Sequence, residues 1–364
     1  MSFRKKLKIL GKDLIKFIKI LLAPFVPLYS VIIYIRNLFF DKSVFKSQKV
    51  NAKIISVGNI TVGGSGKTPL VIYVTNLLKK SGYKVGVLSR GYGRKSHGYK
   101  LVSKGDEILT SVEECGDEIY QTSLECKVAA AVSENRVKGA KKLIEETGIN
   151  LIVLDDAFQH RWIARDVDIV VMDQKFVNAK SFFTHNLLPS GDLREGFDSI
   201  KRADAIVLNR KFFDKEEIIQ ELKNSFEGKK IFTAYYKAIS FVDAVRKTEY
   251  TLDEFKGQDS LVVSGIANPQ SFLSVLNNAH VNTKNKLIFR DHKNYTVKEV
   301  QQIRKEFYTT NSHSVVTTEK DAVKLSRFNR EFDDIEIFYL KINLCMDDEE
   351  SFKQYLINKL NNAS

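Results

Sequence analysis

A glycine-rich loop followed by a lysine and a threonine is the clearest chemical signature in the chain. The apolar run 54–57 is predicted to be a buried strand, and Lys67 and Thr68 open an amphipathic helix after the loop. This is the order of a P-loop, in which backbone N–H groups and a helix dipole bind phosphate. We expect Lys67 to reach the β- and γ-phosphates and the Thr68 hydroxyl to hold Mg²⁺. The predicted nucleotide-binding residues are Gly63, Gly64, Ser65, Gly66, Lys67 and Thr68.

The P-loop pattern is incomplete, because Thr61 stands where the first glycine is usually found. A chance Gly-Lys-Thr in an ordinary turn is the alternative interpretation. The strand before the loop and the helix after it favour the P-loop, since the mechanism requires both.

A pair of carboxylates follows another short apolar run. Residues 151–154 are predicted to be a strand that ends in Asp155 and Asp156. An acid in this position downstream of a P-loop orients Mg²⁺ or its water shell. Gln159 and His160 come directly afterwards and are predicted to lie beside the same site.

Two polar turns are weaker candidates. Arg90 and Arg94 follow a predicted strand at 85–88, where ligands bind in open α/β sheets, although a solvated surface turn is equally compatible with them. Asp117 and Glu118 begin a helical stretch. From the residues alone, a role in complementing the helix dipole is the favoured explanation for these two acids.

Strands and helices alternate along most of the chain. This alternation predicts an α/β fold: a doubly wound parallel sheet carrying the P-loop, with a polar loop at 188–195 that contains Arg194. Extended residues follow, and a second α/β unit begins near residue 261. The predicted divisions are an N-terminal segment 1–40, a P-loop domain 41–228, a linker or β-ribbon 229–250 and a C-terminal α/β domain 251–364.

The N-terminal 22 residues form a basic amphipathic pattern. Lysines share one face, and leucine and isoleucine the other, as in helices that lie in a membrane interface. A helix packed on the protein's own core is the alternative. The uncharged stretch 20–35 is expected to be broken by Pro24 and Pro27, and it is shorter than the roughly 20 apolar residues that span a bilayer. Peripheral attachment is therefore predicted, with a cytoplasmic location suited to the basic N-terminus.

Composition narrows the classes of partner and compartment. The net charge of +13 implies an anionic partner, either a membrane surface, a nucleic acid or a phosphorylated substrate. The basic residues concentrate beside apolar ones in the N-terminal helix and no nucleic-acid motif is present, so nucleic-acid binding is not expected. Three cysteines fit neither a disulfide framework nor a metal knuckle, which suggests a reducing compartment.

A P-loop with paired acids predicts nucleotide hydrolysis or phosphoryl transfer. Other sequence features distinguish between the classes of P-loop protein that carry out these reactions. The motif by which GTPases recognise guanine is not matched by either of the two candidate segments, 209–212 and 318–321. A membrane-cycling ATPase of the deviant-Walker class fits the amphipathic helix, but it carries a lysine where Val62 stands. That ATPase, acting on a protein partner, is the alternative function.

The ordered motifs together resemble the tetraacyldisaccharide 4'-kinase family of lipid A biosynthesis, over nearly the whole chain. The segments that carry the resemblance are the N-terminal helix, 57–69, 90–94, 116–118, 155–160, 188–195, 265–269, 291–292 and 317–321. The resemblance implies two α/β domains joined by a β-ribbon hinge. It also implies ATP and Mg²⁺ as ligands, and transfer of the γ-phosphoryl group to the 4'-hydroxyl of a membrane-borne tetraacyldisaccharide 1-phosphate, giving lipid IVA.

The resemblance changes the expected role of Asp117. It implies that this carboxylate is the catalytic base, paired with His292, while Lys67 neutralises phosphate charge. Thr68 and Asp155 are implied to hold Mg²⁺, with Asp156 in support. The weaker candidates for substrate or phosphate contact are Arg90, Arg94, Glu118, Gln159, His160 and Arg194. The implied location is the cytoplasmic face of the bacterial inner membrane, as a peripheral protein.

Overall fold

The computed structural model describes residues 17–179, 184–266, 269–291 and 293–362. His292 and the first 16 residues, for which a catalytic role and part of the basic helix are predicted, lie outside these ranges. The chain divides into two compact units. Unit 1 comprises Met1–Asn209, Lys215–Thr233 and Asp348–Ser364, and unit 2 comprises Arg210–Asp214 and Ala234–Asp347.

The described helices and strands follow one another in an α/β pattern. The strands are β1 Lys53–Gly58, β2 Val85–Ser89, β3 Lys100–Lys104, β4 Glu107–Ile108, β5 Ala129–Val132, β6 Leu151–Asp155, β7 Val167–Asp173, β8 Ala205–Asn209, β9 Lys230–Asp243, β10 Glu249–Tyr250, β11 Ser260–Ser264, β12 Lys286–Ile288, β13 Ser314–Thr318 and β14 Ile337–Met346. The α-helices are α1 Val26–Asp41, α2 Lys67–Lys80, α3 Val112–Cys115, α4 Asp117–Cys126, α5 Arg136–Thr147, α6 Gln174–Val177, α7 Gln220–Phe226, α8 Pro269–Asn278, α9 Val297–Thr309, α10 Glu319–Leu325 and α11 Glu349–Asn362.

Unit 1 is built on a mostly parallel sheet with strand order β8-β7-β1-β6-β2-β5-β3-β4. The strands from β8 to β5 pair in parallel, and the edge strands β3 and β4 pair antiparallel. The central strands are covered on both faces, so their sequences are continuous apolar runs: Ile55 and Val153 are fully buried. Val57 is in register with Asp155, which brings the carboxyl ends of β1 and β6 together. The predicted doubly wound parallel sheet is confirmed.

Unit 2 is a smaller α/β unit, as predicted. Its strands are ordered β12-β11-β13-β14-β9, with parallel pairing up to β14 and antiparallel pairing of β14 with β9. The predicted linker or β-ribbon at 229–250 holds β9 and the short β10, which pair antiparallel, and the boundary between the units falls inside β9, between Thr233 and Ala234. The predicted linker 229–250 is therefore mostly one long strand.

The end of the chain departs from the predicted division at 251–364. Residues 348–364 are grouped with unit 1, not with the C-terminal domain. In α11, Phe352 is fully buried and its ring lies 4.9 Å from that of Phe232 and 6.1 Å from that of Tyr73, centroid to centroid. The Tyr355 hydroxyl also donates to the carbonyl of Asp204. Such long-range packing of a terminal helix has no local sequence signal.

The N-terminal helix also differs from the prediction, which treated Pro24 and Pro27 as breaks. Helical structure is continuous over Phe17–Asp41, with one 3₁₀ turn at Ala23–Phe25. Each proline stands in the first turn of a new helical segment, where its missing N–H has no intrahelical partner to lose. The 25-residue helix is consequently longer than the uncharged stretch suggested.

The grouping of α11 with unit 1 predicts a large effect of Phe352→Ala. Removing a fully buried aromatic ring should lower the free energy of unfolding by about 3–5 kcal/mol. Chemical denaturation of the full chain measures it, with the exposed Asn358→Ala on the same helix as control. A loss below about 1 kcal/mol would mean that α11 does not contribute to the core of unit 1.

Candidate active site

The P-loop is held in shape by two buried asparagines. The Asn59 amide donates to the Thr61 hydroxyl (3.1 Å) and the Ser65 hydroxyl (2.9 Å), and the Asn209 amide donates to the Ser65 carbonyl (3.2 Å). Gly66, at the N-cap of α2, has a φ of 99°, a conformation that favours glycine. Thr61 thus has a structural role, because its hydroxyl accepts a bond that organises the loop.

Lys67 and Thr68 begin α2 and lie at the carboxyl end of the sheet. Thr68 is buried, and the Lys67 side chain is 13% exposed. The Lys67 ammonium lies 3.7 Å from a carboxylate oxygen of Asp156. The structure therefore brings together the P-loop lysine and the acid pair that the sequence placed about 90 residues apart.

Asp155 is a buried carboxylate with one oxygen bonded and one orphaned. The Ser89 hydroxyl donates to Oδ2 at 3.0 Å, while Oδ1 has no hydrogen-bond partner among the described residues. Burial raises the pKa of Asp155, and the neighbouring negative charges of Glu118 and Asp156 raise the same pKa further. An orphaned buried oxygen beside other acids fits a divalent cation.

Mg²⁺ is often bound by one or two carboxylates together with substrate phosphates, not by a complete protein cage. The described part of the chain contains no cluster of three His, Cys, Asp or Glu side chains that could hold a metal ion. The Thr68 hydroxyl and the free oxygen of Asp155 are the protein groups that fit the ion here.

Arg194 reaches the same acids from the 188–195 loop. Its Nη1 donates to both carboxylate oxygens of Asp156, at 2.9 and 3.0 Å. The turn that presents it requires Gly191, because a Cβ at that position would lie 1.9 Å from the carbonyl oxygen of Asn186. Asp156 is therefore shared between two cations, Lys67 and Arg194, each suited to a phosphate group.

The two arginines of the 90–94 turn have different environments. Arg90 is exposed, and its charge acts on the nearby Arg136 and His160. The Arg94 side chain is 3% exposed, pairs with Glu134 and donates to the Gly98 carbonyl. Arg94 therefore fixes its own loop in this structure, and the geometry supports only Arg90 of this pair as a phosphate contact.

Gln159 contacts the P-loop segment, and His160 follows it in a cluster of arginines. The Gln159 amide donates to the Asn59 carbonyl at 2.8 Å, so it supports the base of the loop. Burial, with the nearby positive charge of Arg136 and other arginines, lowers the pKa of His160 to about 4. His160 is consequently a neutral imidazole near neutral pH.

Asp117 and Glu118 are the first two residues of α4 and are both partly buried. The preceding Gly116 has a φ of 93°, and a Cβ there would lie 2.8 Å from the Tyr92 carbonyl oxygen, so the helix start packs tightly on the 90–94 turn. Glu118 is close enough to Asp155 to raise its pKa. Both explanations of the acid pair, helix dipole and chemistry, are compatible with this position.

Arg136 is a site residue that the sequence reasoning missed. It is 2% exposed and lies at the first position of α5, and it donates to the Ser133 carbonyl (2.7 Å) and to the Asp155 carbonyl (3.3 Å). Burial, partly offset by the Asp155 and Asp156 charges, lowers its pKa to about 10. Its position directly after β5 was the available signal, because ligands bind at the carboxyl ends of parallel strands.

Comparison with known proteins identifies the family. Residues 18–361 match the family model described as "Tetraacyldisaccharide-1-P 4'-kinase". The chain belongs to this kinase family. A family member from Halothermothrix orenii named tetraacyldisaccharide 4'-kinase is 36% identical over 339 residues, covering 89% of this chain and 86% of that protein. Another, from Aquifex aeolicus, is 34% identical over 336 residues, covering 92% and 97%.

A solved structure of the kinase family shares the fold. The crystal structure of LpxK from Aquifex aeolicus in complex with ATP aligns with a TM-score of 0.75 at 33% sequence identity, covering 94% of this chain and 99% of that one. The family membership agrees with the resemblance drawn from the motifs. It also disfavours the deviant-Walker ATPase considered as the alternative.

The geometry of the P-loop predicts a selective effect of Asn59→Ala on nucleotide binding. The substitution removes both side-chain bonds that tie Thr61 and Ser65 together, which should weaken ATP binding by about 5- to 100-fold. Titration with a fluorescent ATP analogue measures the Kd. Asn150→Ala is the control, because Asn150 lies beyond the amino end of β6, far from the loop. Equal affinity in both variants would contradict the assigned role of Asn59.

Proposed function

We propose that the protein transfers the γ-phosphoryl group of ATP to the 4'-hydroxyl of a tetraacyldisaccharide 1-phosphate, which gives lipid IVA and ADP. The observation that carries the proposal is the meeting of Lys67, Asp155 and Asp156 at the carboxyl ends of β1 and β6. Family membership supports the acceptor, since the matching relatives are named for this substrate.

The reaction forms one P–O bond and breaks another. The 4'-oxygen of the sugar attacks the γ-phosphorus, the bond to the β–γ bridging oxygen breaks, and the hydroxyl proton passes to a base. Lys67 and Arg194 are held near the site by Asp156 and can turn to the phosphate oxygens when a nucleotide binds. Thr68 and Asp155, with Asp156 in support, would hold Mg²⁺, which neutralises phosphate charge when bound.

Asp117 is proposed as the group that accepts the sugar proton, and the partner role that the resemblance implies for His292 falls on a residue outside the described ranges. Asp117 opens helix α4, where the helix dipole favours negative charge, and its neighbour Glu118 lies close enough to Asp155 to raise the pKa of that acid. Glu118, on the same turn, contributes negative charge near Asp155 and is proposed to support the metal side of the site.

Asp117→Asn tests the base directly. The variant should lower kcat by about 10²- to 10⁴-fold while leaving the Kd for ATP unchanged, because the amide keeps the size but cannot take the proton. Glu125→Gln, the same kind of change about two turns further along α4, is the matched control and should keep the wild-type kcat. A wild-type kcat in Asp117→Asn would remove Asp117 from this role.

The transfer itself is tested with γ-labelled ATP. Purified protein, detergent micelles, Mg²⁺ and a tetraacyldisaccharide 1-phosphate should give a labelled lipid on thin-layer chromatography. The label should be absent with Lys67→Ala, because the phosphate loses its principal cation. Free labelled phosphate without a lipid product would overturn the kinase assignment. It would instead favour the alternative function, a membrane-cycling ATPase.

We further propose that the N-terminal helix attaches the protein to the cytoplasmic face of a membrane. Residues Phe17–Asp41 form one 25-residue helix that contains an 18-residue window with a mean hydropathy of 2.0. Six apolar residues recur every third or fourth position and are 38–65% exposed: Leu21, Phe25, Leu28, Ile32, Ile35 and Phe39. A stripe of this kind on a basic protein fits a bilayer interface, where ATP and an acylated acceptor are both accessible.

Substitution within the stripe tests the attachment. Leu28→Asp with Ile32→Asp should release the protein from phosphatidylglycerol vesicles, because both side chains are more than half exposed and would carry charge into the apolar layer. Flotation on a density gradient measures binding. Leu109→Asp, 42% exposed and outside the helix, is the control. Vesicle binding that survives the double substitution would contradict the proposed attachment.

A further inference from the structure

Residues 192–195 lie between the N-terminal helix and the P-loop and are bonded to both. On the helix side, the Lys19 ammonium pairs with Asp192 at 2.7 Å, and the Tyr29 hydroxyl donates to the carbonyl of Arg194 at 2.9 Å. Asn37 donates to the carboxylate of Glu195 at 3.3 Å. These contacts are spread over about five turns of helix, so residues 192–195 bind the helix along most of its described length.

The opposite side of the same segment is bonded to the start of the P-loop. The Val62 N–H donates to the Asp192 carbonyl at 2.8 Å, and the Arg194 N–H donates to the Ile60 carbonyl at 2.7 Å. Leu193, which is 2% exposed, pairs with Thr61 in an antiparallel bridge. A shift of this segment would therefore move the P-loop backbone with it.

The helix and the phosphate-binding groups meet most directly at Arg194. Its carbonyl is held by Tyr29 of the helix, its N–H by the P-loop, and its guanidinium by Asp156, which also pairs with Lys67. The next residue, Glu195, is 1% exposed and pairs with Arg36 of the helix at 3.7 Å and with Arg202 at 2.5 Å. A single extended segment thus joins the membrane-facing helix to the cations of the site.

The helix carries a second stripe beside the exposed apolar one, shifted by one residue and so about 100° round the helix axis. Leu22, Val26, Tyr29, Ile33, Arg36 and Phe40 recur at alternating spacings of three and four and are partly or fully buried against the rest of unit 1. The polar contacts of this stripe are those of Tyr29 and Arg36, and both side chains are partly exposed, so in water these contacts compete with solvent. Holding the helix on a bilayer restricts its freedom and favours these contacts.

We infer that attachment of the helix to an anionic lipid bilayer and binding of nucleotide in the P-loop are energetically coupled through residues 192–195, with Tyr29 as a positioning residue. The inference rests on the proposed membrane attachment and nucleotide site. Coupling of this kind is reciprocal: if the bilayer tightens nucleotide binding by some factor, the nucleotide tightens bilayer binding by the same factor. The enzyme would then hold ATP best where its acylated acceptor is found.

The test measures the Kd of a fluorescent ATP analogue with Mg²⁺, in the absence and presence of phosphatidylglycerol vesicles that contain no acceptor lipid. Wild-type protein should bind the analogue at least about fivefold more tightly on vesicles. Tyr29→Phe, which removes only the hydroxyl, should lose most of that factor. Tyr34→Phe is the matched control, since Tyr34 lies on the same helix, is 66% exposed and should keep the full factor.

Flotation of each variant with and without the nucleotide supplies the reciprocal measurement and confirms that Tyr29→Phe is still folded and still bound to vesicles. An unchanged Kd for wild-type protein on vesicles would overturn the coupling. So would an equal factor in Tyr29→Phe and Tyr34→Phe. Because no acceptor lipid is present, these outcomes are independent of the phosphoryl-transfer assay, and either proposal can fail while the other stands.

Discussion

The buried carboxylate of Asp155 is the constraint around which the catalytic end of unit 1 is arranged. A charge in that position is costly unless hydrogen bonds, cations or a metal compensate it. The structure supplies one hydrogen bond from Ser89 and leaves the other oxygen without a partner. The parallel pairing of β6 with β1 places this acid beside the P-loop, and helix α2 directs its positive N-terminal dipole toward the same point.

The second acid, Asp156, holds two positively charged side chains close to where the phosphate groups would bind. Lys67 and Arg194 both pair with it, and neither pair is deeply buried: Asp156 is 31% exposed and Arg194 is 29% exposed. Partly exposed pairs contribute little to stability, so a polyphosphate can compete for both cations at small cost. The 188–195 loop is far from the P-loop in sequence, but it belongs to the site for two reasons. It contributes Arg194, and its backbone is hydrogen-bonded to the start of the P-loop.

Much of this site could be predicted from the sequence, because its parts follow strands and carry strong local signals. The glycine-rich loop, the lysine and the paired acids each sit at a strand end, and a parallel sheet brings such ends to one edge. Arg136 had the same kind of position but no motif around it, so only its burial beside Asp155 reveals it. Arg94 shows the reverse case, since its motif suggested phosphate and its contacts are with Glu134 and its own loop.

Long-range packing was beyond the sequence patterns. The return of α11 to unit 1 depends on Phe352 meeting rings from Tyr73 and Phe232, and nothing in the local sequence states which core a terminal helix will join. The prolines at 24 and 27 were given too much weight as breaks, because a proline in the first turn of a helix loses no bond. Both stripes of the N-terminal helix are largely apolar, and only the burial of one and the exposure of the other distinguish them.

The most direct test of the account is the position of the new phosphate on the lipid. Phosphorus–proton correlation NMR of the purified product should show two phosphomonoesters, one at the anomeric carbon and a new one coupled to H4' of the distal glucosamine. That result would connect the Lys67–Asp155–Asp156 site to the proposed acceptor hydroxyl. A new phosphate at any other hydroxyl, or a lipid that keeps a single phosphate while ATP is consumed, would contradict it.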